Sequence, residues 1–207
     1  ETINRLNSIG ANIYRTDQDG NVTFTFYGYN NTSQFFEDVN ESHWAFSSIN
    51  ALYNAGVTKG CSQTPLLYCP ESYVTRAEMA IFLERSIYGG SYQPPSGTGL
   101  VFDDVPSIYW SVGWIEQLFK DGITKGCSTN PPMYCPDLSV TRAEMAAFLL
   151  RAKYGAGYTP PALGNVTSFN DVPDDYWAAD WIRQLANEGI TQGCGENLFC
   201  PEGYVTR

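Results

Sequence analysis

Apolar positions recur at helical spacing in two kinds of segment. Phe46, Ile49 and Tyr53, and later Trp114, Ile115, Leu118 and Phe119, share one face of a short helix, and glycines at Gly56, Gly122 and Gly189 predict where such helices stop. The second kind opens on Thr75-Arg76-Ala77-Glu78 and Thr141-Arg142-Ala143-Glu144, the spacing at which a threonine and a glutamate cap a helix start reciprocally. Its apolar face carries Met79, Phe82 and Leu83, then Met145, Phe148 and Leu149. A cysteine-bounded loop separates the two kinds. Near the start of the chain the period changes to two: Val22, Phe24 and Phe26 alternate with Thr23, Thr25 and Tyr27, across Asp17-Gln18-Asp19-Gly20 from Ile13-Tyr14-Arg15-Thr16. That pattern predicts a β-hairpin, which needs a sheet, a helix face or a neighbouring molecule to lean on, because two strands alone are marginal in water. Ile3, Leu6 and Ile9 have the spacing of a short amphipathic helix ahead of it.

These segments are copies of one another. Phe36-Glu37-Asp38-Val39, Trp44, Gly56-Val57-Thr58-Lys59-Gly60-Cys61, Tyr68-Cys69-Pro70 and the capping segment return 66 residues later as Phe102-Asp103-Asp104-Val105, Trp110, Gly122 to Cys127, Tyr134-Cys135-Pro136 and Thr141 onward. A third copy runs from Phe169-Asn170-Asp171-Val172 through Trp177, Gly189 to Cys194 and Phe199-Cys200-Pro201 to Val205-Thr206-Arg207. The organisation expected is an N-terminal segment over 1–34, repeats over 35–90, 101–156 and 168–207, and linkers over 91–100 and 157–167. Helix pairs this short cannot bury their apolar stripes alone, so the repeats are expected to share one interior. The Pro94-Pro95 and Pro160-Pro161 pairs favour extended joints that space successive units. The fold class is therefore mainly α, tandem helix-loop-helix repeats with an N-terminal hairpin.

Composition narrows the function. The 207 residues carry a formal net charge of −10, with few and scattered cations, which disfavours binding to nucleic acid or to anionic lipid. No apolar run reaches the roughly 20 residues that span a bilayer. The chain begins at Glu1 with no basic segment followed by an apolar one, as expected of a mature chain or a fragment.

Six cysteines fall as local pairs, Cys61/Cys69, Cys127/Cys135 and Cys194/Cys200, one pair in each repeat. Pairing within each repeat solves the same local problem in the same way, and closing so short a loop contributes roughly 2–3 kcal/mol. Zinc is the competing use of the thiols, but zinc sites draw on tightly spaced cysteines or nearby histidines, and His43 is the one histidine. Disulfides place the protein outside the cell or at its surface. Sequons at Asn21, Asn30, Asn31, Asn40 and Asn165 would accept glycans there.

No nucleophile with its base is visible, and no phosphate-cradling glycine loop. His43 occupies the place of Tyr109 and Tyr176, and Asp38, Asp104 and Asp171 recur one per repeat rather than as a paired acid and base, so they read as N-cap or turn devices. The chain reads as non-enzymatic, needing no cofactor and no metal. Arg76, Arg142 and Arg207 stand out: a cation in the first helical turn opposes the helix dipole at a cost of a few tenths to about 1 kcal/mol. Two explanations remain open, an anion-binding site with free helix-start amides or an ion pair to a neighbouring unit. Trp44, Trp110 and Trp177 suit either a core or a flat platform for a sugar ring. Gly60, Gly126 and Gly193 allow either a turn or a ligand's close approach. Arginine, tryptophan and glycine repeated in every copy suit recognition of an acidic sugar.

Phe-x-Asp-Val, Trp, Gly-Ile-Thr-x-Gly, Pro and Val-Thr-Arg-Ala-Glu together resemble the S-layer homology domain family over residues 35–207. The resemblance implies a helical pseudo-trimer, with a pseudo-threefold core, that holds bacterial surface proteins noncovalently on cell-wall polysaccharide, often pyruvylated, through grooves between repeats. It carries that role to Asp38, Trp44, Gly60 and Arg76, to Asp104, Trp110, Gly126 and Arg142, and to Asp171, Trp177, Gly193 and Arg207. The cysteine pairs and a third copy without its second helix depart from the family pattern. The hairpin without a sheet and the repeat without a helix support an alternative, in which copies of the chain assemble head-to-tail into a filament or layer.

Overall fold

The computed structural model describes residues 34–162 and 169–207, together with two short strands ahead of them. Those strands, β1 (Ala11–Asn12) and β2 (Thr25–Phe26), pair antiparallel with Ala11 opposite Phe26. The pairing has the sense expected of the hairpin, displaced toward the chain start on its first strand. The rest of the hairpin, the Ile3/Leu6/Ile9 segment and the sequons other than Asn40 lie outside the described residues.

Beyond them the molecule is mainly helical. Its elements are α1 (Phe46–Asn54), β3 (Ser62–Gln63), β4 (Leu66–Leu67), α2 (Arg76–Tyr88), α3 (Val112–Lys120), β5 (Ser128–Thr129), β6 (Pro132–Met133), α4 (Arg142–Tyr154) and α5 (Ala179–Asn187). The helices start and stop where local chemistry dictates. Thr75 and Thr141 accept from the amides of Glu78 and Glu144, whose side chains bond back to the threonine amides, so both reciprocal caps form. Gly56, Gly122 and Gly189 follow the shorter helices at φ of 71°, 70° and 70°, a left-handed turn that glycine adopts freely. Disulfides join Cys61 to Cys69, Cys127 to Cys135 and Cys194 to Cys200, the within-repeat set. Each of the first two closes a miniature hairpin, β3–β4 or β5–β6, and the shorter third loop keeps a single bridge between Gly195 and Leu198.

Two expectations need correction. The interior is not one core: Phe36, Val39, Ile49 and Tyr68 form a local cluster in the first unit, while two larger clusters straddle the junctions between units. The reason is that the second helix of a unit packs on the first helix of the next, α2 on α3 and α4 on α5, and α2 also meets α4. Nor does the Pro94-Pro95 linker space the units. Glu116 of α3 accepts hydrogen bonds from the Thr98 amide and hydroxyl and the Gly99 amide at 2.7–2.9 Å, and Gly113 lets the Pro95 carbonyl approach where a Cβ would sit 2.6 Å from it. The linker is thereby strapped along α3.

The segments ending in Val-Thr-Arg join all three units. The Val74 amide donates to the Val205 carbonyl, Val205 to Val140, and Val140 to Val74, each at 2.9 Å, so the bonds close on themselves. A second tier runs from the Arg76 amide to the Leu138 carbonyl, from Arg142 to Gly203 and from Arg207 to Ser72.

One fully buried position departs from the repeat in charge. Glu84 of α2 is fully buried where α4 carries Leu150, and among the described residues neither of its carboxyl oxygens has a partner with hydrogens to give. Burial raises its pKa first, then the charge of Asp121 and a hydrogen bond shared with it, to about 8. Asp121 is itself held by Gln117 and the Tyr88 hydroxyl. At the next junction Glu188 stands in the place of Asp121 and pairs with Lys153. Because the folded pKa lies above the unfolded value, the folded state holds the extra proton. Stability from this group is complete below about pH 4.5 and is lost as pH rises through about 8. Glu84→Leu is expected to remove that slope and raise stability at pH 8–9 by a few kcal/mol, on the order of the shift, measured by urea unfolding across pH.

Candidate functional site: a groove between the second and third units

The expected site residues separate into those the fold consumes and those it presents. Asp38 is consumed: its two carboxylate oxygens accept from the Tyr68 and Cys69 amides at 2.8 and 2.7 Å. Asp104 does the same for Tyr134 and Cys135, and Asp171 for Phe199 and Cys200. The acid is a turn device acting at long range, pinning the second cysteine of each loop in its left-handed conformation, with φ of 57° at all three. Each Asp also lies beside both cysteines of its loop, but those sulfurs are bonded to one another and offer no thiolate to a metal. Gly60, Gly126 and Gly193 have φ of 82°, 84° and 92°, and a Cβ there would lie 2.2–2.3 Å from a carbonyl oxygen across the loop, so the turn alone requires glycine.

The arginines resolve toward the ion pair. Arg76, whose side chain is 3% exposed, pairs with Glu144 of the next unit, donates from Nε to the Tyr134 carbonyl at 2.8 Å, and lies between the Tyr134 and Phe148 rings. Arg207 repeats this with Glu78, the Tyr68 carbonyl and the Tyr68 and Phe82 rings. One glutamate therefore serves twice, capping its own helix through one oxygen and neutralising a neighbour's arginine through the other. The helix-start amides are also taken: those of Arg76 and Ala77 donate to Leu138 and Pro136, and that of Glu78 to the Thr75 hydroxyl. No free amide is left for an anion at that start. Arg142 bonds the Phe199 carbonyl and covers the Phe199 ring, but its Nη2 is buried without an acceptor among the described residues, and burial lowers its pKa.

The tryptophans are presented. Trp44, Trp110 and Trp177 are 90%, 62% and 57% exposed, whereas Trp114 of α3 fills the core position. Trp177 borders a groove of about 550 Å³ between the second and third units. Glu144, Ala147, Phe148 and Arg151, one face of α4, line it, with Thr124 to Cys127 from the second cysteine loop on one side and Tyr176, Trp177 and Glu202 on the other. Arg76 reaches it from behind, already neutralised. Lys125 and Arg151 make no ion pair among the described residues, and against the one unpaired carboxylate of the lining, Glu202, they leave the groove with a net positive charge. Arg151 is steadied by the Ile123 carbonyl at 3.2 Å and the Trp181 ring. Across from them the Tyr176 hydroxyl donates to Glu202 at 2.6 Å, and burial followed by that bond pushes its pKa up to about 12. The groove thus offers a flat indole, hydroxyl groups, two cations and, on the far wall, the Glu202 carboxylate held by Tyr176, a combination that fits a ring-shaped solute whose negative charge lies toward Lys125 and Arg151.

Lys125 and Arg151 were not singled out from sequence. The signal was present, since Lys59 and Arg85 hold the same places one repeat earlier. His43 bonds the Ala45 amide through Nδ1 and stacks by Trp44, a surface role.

The chain belongs to the S-layer homology domain family, whose pattern matches residues 35–80 and 168–207. It is similar to an amylopullulanase of Thermoanaerobacterium thermosulfurigenes, 30% identical over 214 residues that take in all of this chain and 11% of that protein. It is also similar to a cellulosome-anchoring protein of Acetivibrio thermocellus, 30% identical over 68% of this chain and 31% of that protein. A third relative is a cell surface protein of Thermoanaerobacter kivui, 29% identical over 56% of this chain and 15% of that protein. The chain spans under a third of the length of each of these relatives. It is a protein of the cell surface, and no helix among its described residues is long and apolar enough to cross a membrane.

The shared glutamate can be tested directly. Glu144→Ala strips the cap from α4 and leaves Arg76 buried without a carboxylate, and about 3 kcal/mol of stability is expected to be lost, against about 1 kcal/mol for Thr141→Ala, which removes the cap alone. Urea midpoints of the two variants give the comparison, and equal losses would mean that the interunit pair contributes nothing.

Proposed function

We propose that the protein is a non-catalytic module that anchors to acidic, pyruvylated cell-wall polysaccharide through the groove between its second and third units. The observation that carries the reading is the exposed Trp177 set beside Lys125 and Arg151, two cations without a carboxylate partner among the described residues. The indole stacks on a sugar ring while the cations hold its carboxylate. The saturated Asp38, Asp104 and Asp171 carboxylates support holding rather than hydrolysis. The same reading takes residues 35–90, 101–156 and 168–207 as three units in a pseudo-threefold arrangement, for which the closed circuit of Val74, Val140 and Val205 speaks.

Lys125→Ala combined with Trp177→Ala is expected to cut retention on purified acidic wall polysaccharide at least tenfold without shifting the thermal midpoint, because both side chains are exposed. Retention at the original level in sedimentation assays would remove this groove from the mechanism.

A second reading, head-to-tail assembly of copies, has one observation in its favour. Among the described residues Arg142 has the carbonyl and one ring of its counterparts but neither their carboxylate nor their second ring, so it suits the docking of a further helix start that carries a glutamate. Electron microscopy of the purified chain decides this: regular filaments or sheets are the expected sign, and a field of monomers at high concentration excludes it.

A further inference from the structure

The positions that line the groove between the second and third units recur one repeat earlier, at the junction of the first and second. Moved back one repeat, Thr124, Lys125, Arg151 and Trp177 become Thr58, Lys59, Arg85 and Trp110, so that junction carries the same cations and the same indole. The mouths of the two junctions nearly match: Leu138, Ser139 and Tyr204 border one, and Ser72, Tyr73 and Ser139 stand at the matching positions of the other, one tyrosine in each. The floors do not match. Ala147 lies on the face of α4 between Glu144 and Arg151 and lines the groove, whereas the same place on α2, between Glu78 and Arg85, holds Ile81. Ile81 is half-buried and packs against the core shared by the first two units. A β-branched side chain on a helix is confined to one χ1 well, so it does not swing aside for a ligand.

We propose that Ala147 makes the groove between the second and third units the one that admits the acidic sugar, and that Ile81 closes its counterpart between the first and second. The inference rests on the glycan-anchoring reading and adds to it which of two like-charged grooves is used. Charge alone does not discriminate between them. Space does, because a sugar ring seated on the floor requires the volume that three further carbons of isoleucine occupy. One chain then holds one sugar unit, and firm attachment to a wall comes from many chains along a polymer rather than from two sites on each.

The test is calorimetric titration of the whole chain with short oligosaccharides cut from an acidic, pyruvylated wall polysaccharide. The wild-type chain is expected to bind one equivalent, Ala147→Ile to lose at least tenfold in affinity, and Ile81→Ala to bind two equivalents. Trp177→Ala and Trp110→Ala, both at exposed positions, make the test independent of core packing: the first is expected to abolish binding and the second to leave it unchanged. Two equivalents for the wild type, an undiminished Ala147→Ile, an Ile81→Ala that stays at one equivalent or an equal effect of the two tryptophans would overturn the assignment while leaving glycan binding intact. No heat with the wild type in any buffer would overturn the anchoring reading, and the assignment with it.

Discussion

A buried guanidinium at the junction between units is the constraint from which the rest follows. Arg76 has left water almost entirely, so it requires a carboxylate, a carbonyl and two aromatic faces, and the unit it leans on provides all of them. Such pairs add little net stability over an apolar contact of the same shape, because desolvation offsets the attraction. Their effect is on registry. A unit that slid or rotated would leave a buried cation uncompensated, so the pair admits one docking arrangement and penalises its neighbours. The hydrogen bonds among Val74, Val140 and Val205 then close between segments already aligned.

That alignment shapes the groove. Its floor belongs to α4, its far wall to the entry of α5 and its near wall to a cysteine loop, so its width is set by how two units meet and not by any one of them. The loop wall is held three ways at once, by the disulfide, by the aspartate that takes two consecutive amides, and by a glycine whose turn no other residue fits. Cations carried on a wall this fixed need little ordering when a ligand arrives, which is where rigid sites gain affinity over flexible ones.

Local chemistry was the legible part. The capping boxes, the glycine stops and the cysteine pairs each depend on residues within about ten positions of one another, and the repeat made each of them visible more than once. What depended on partners in other units was less legible. The arginines were recognised as anomalous, yet their glutamates already had a complete local explanation as caps, so nothing in the sequence marked the second duty. The tryptophans at helix entries faced two uses, and only the arrangement of neighbours assigned Trp177 to the rim, whereas Trp114 was legible as interior from the apolar face of its helix. The first linker misled for a related reason: the Pro94-Pro95 pair describes stiffness along the chain and is silent about Glu116 waiting on α3. Glu84 was passed over because its helix pattern is that of α4, where leucine takes the place.

The covalent and noncovalent connections divide the molecule in a way that bears on traction. Each sulfur bridge stays inside one unit, while residues 205–207 are fastened directly to residues 72–78 of the first. Tension entering at Arg207 therefore crosses to the first unit through a short run of hydrogen bonds and one ion pair, and is shared with the middle unit through the bonds of Val205 to Val140 and of Arg142 to Gly203. The groove, bordered by Ser139 on one side of this seam and Tyr204 on the other, keeps its form only while the seam holds.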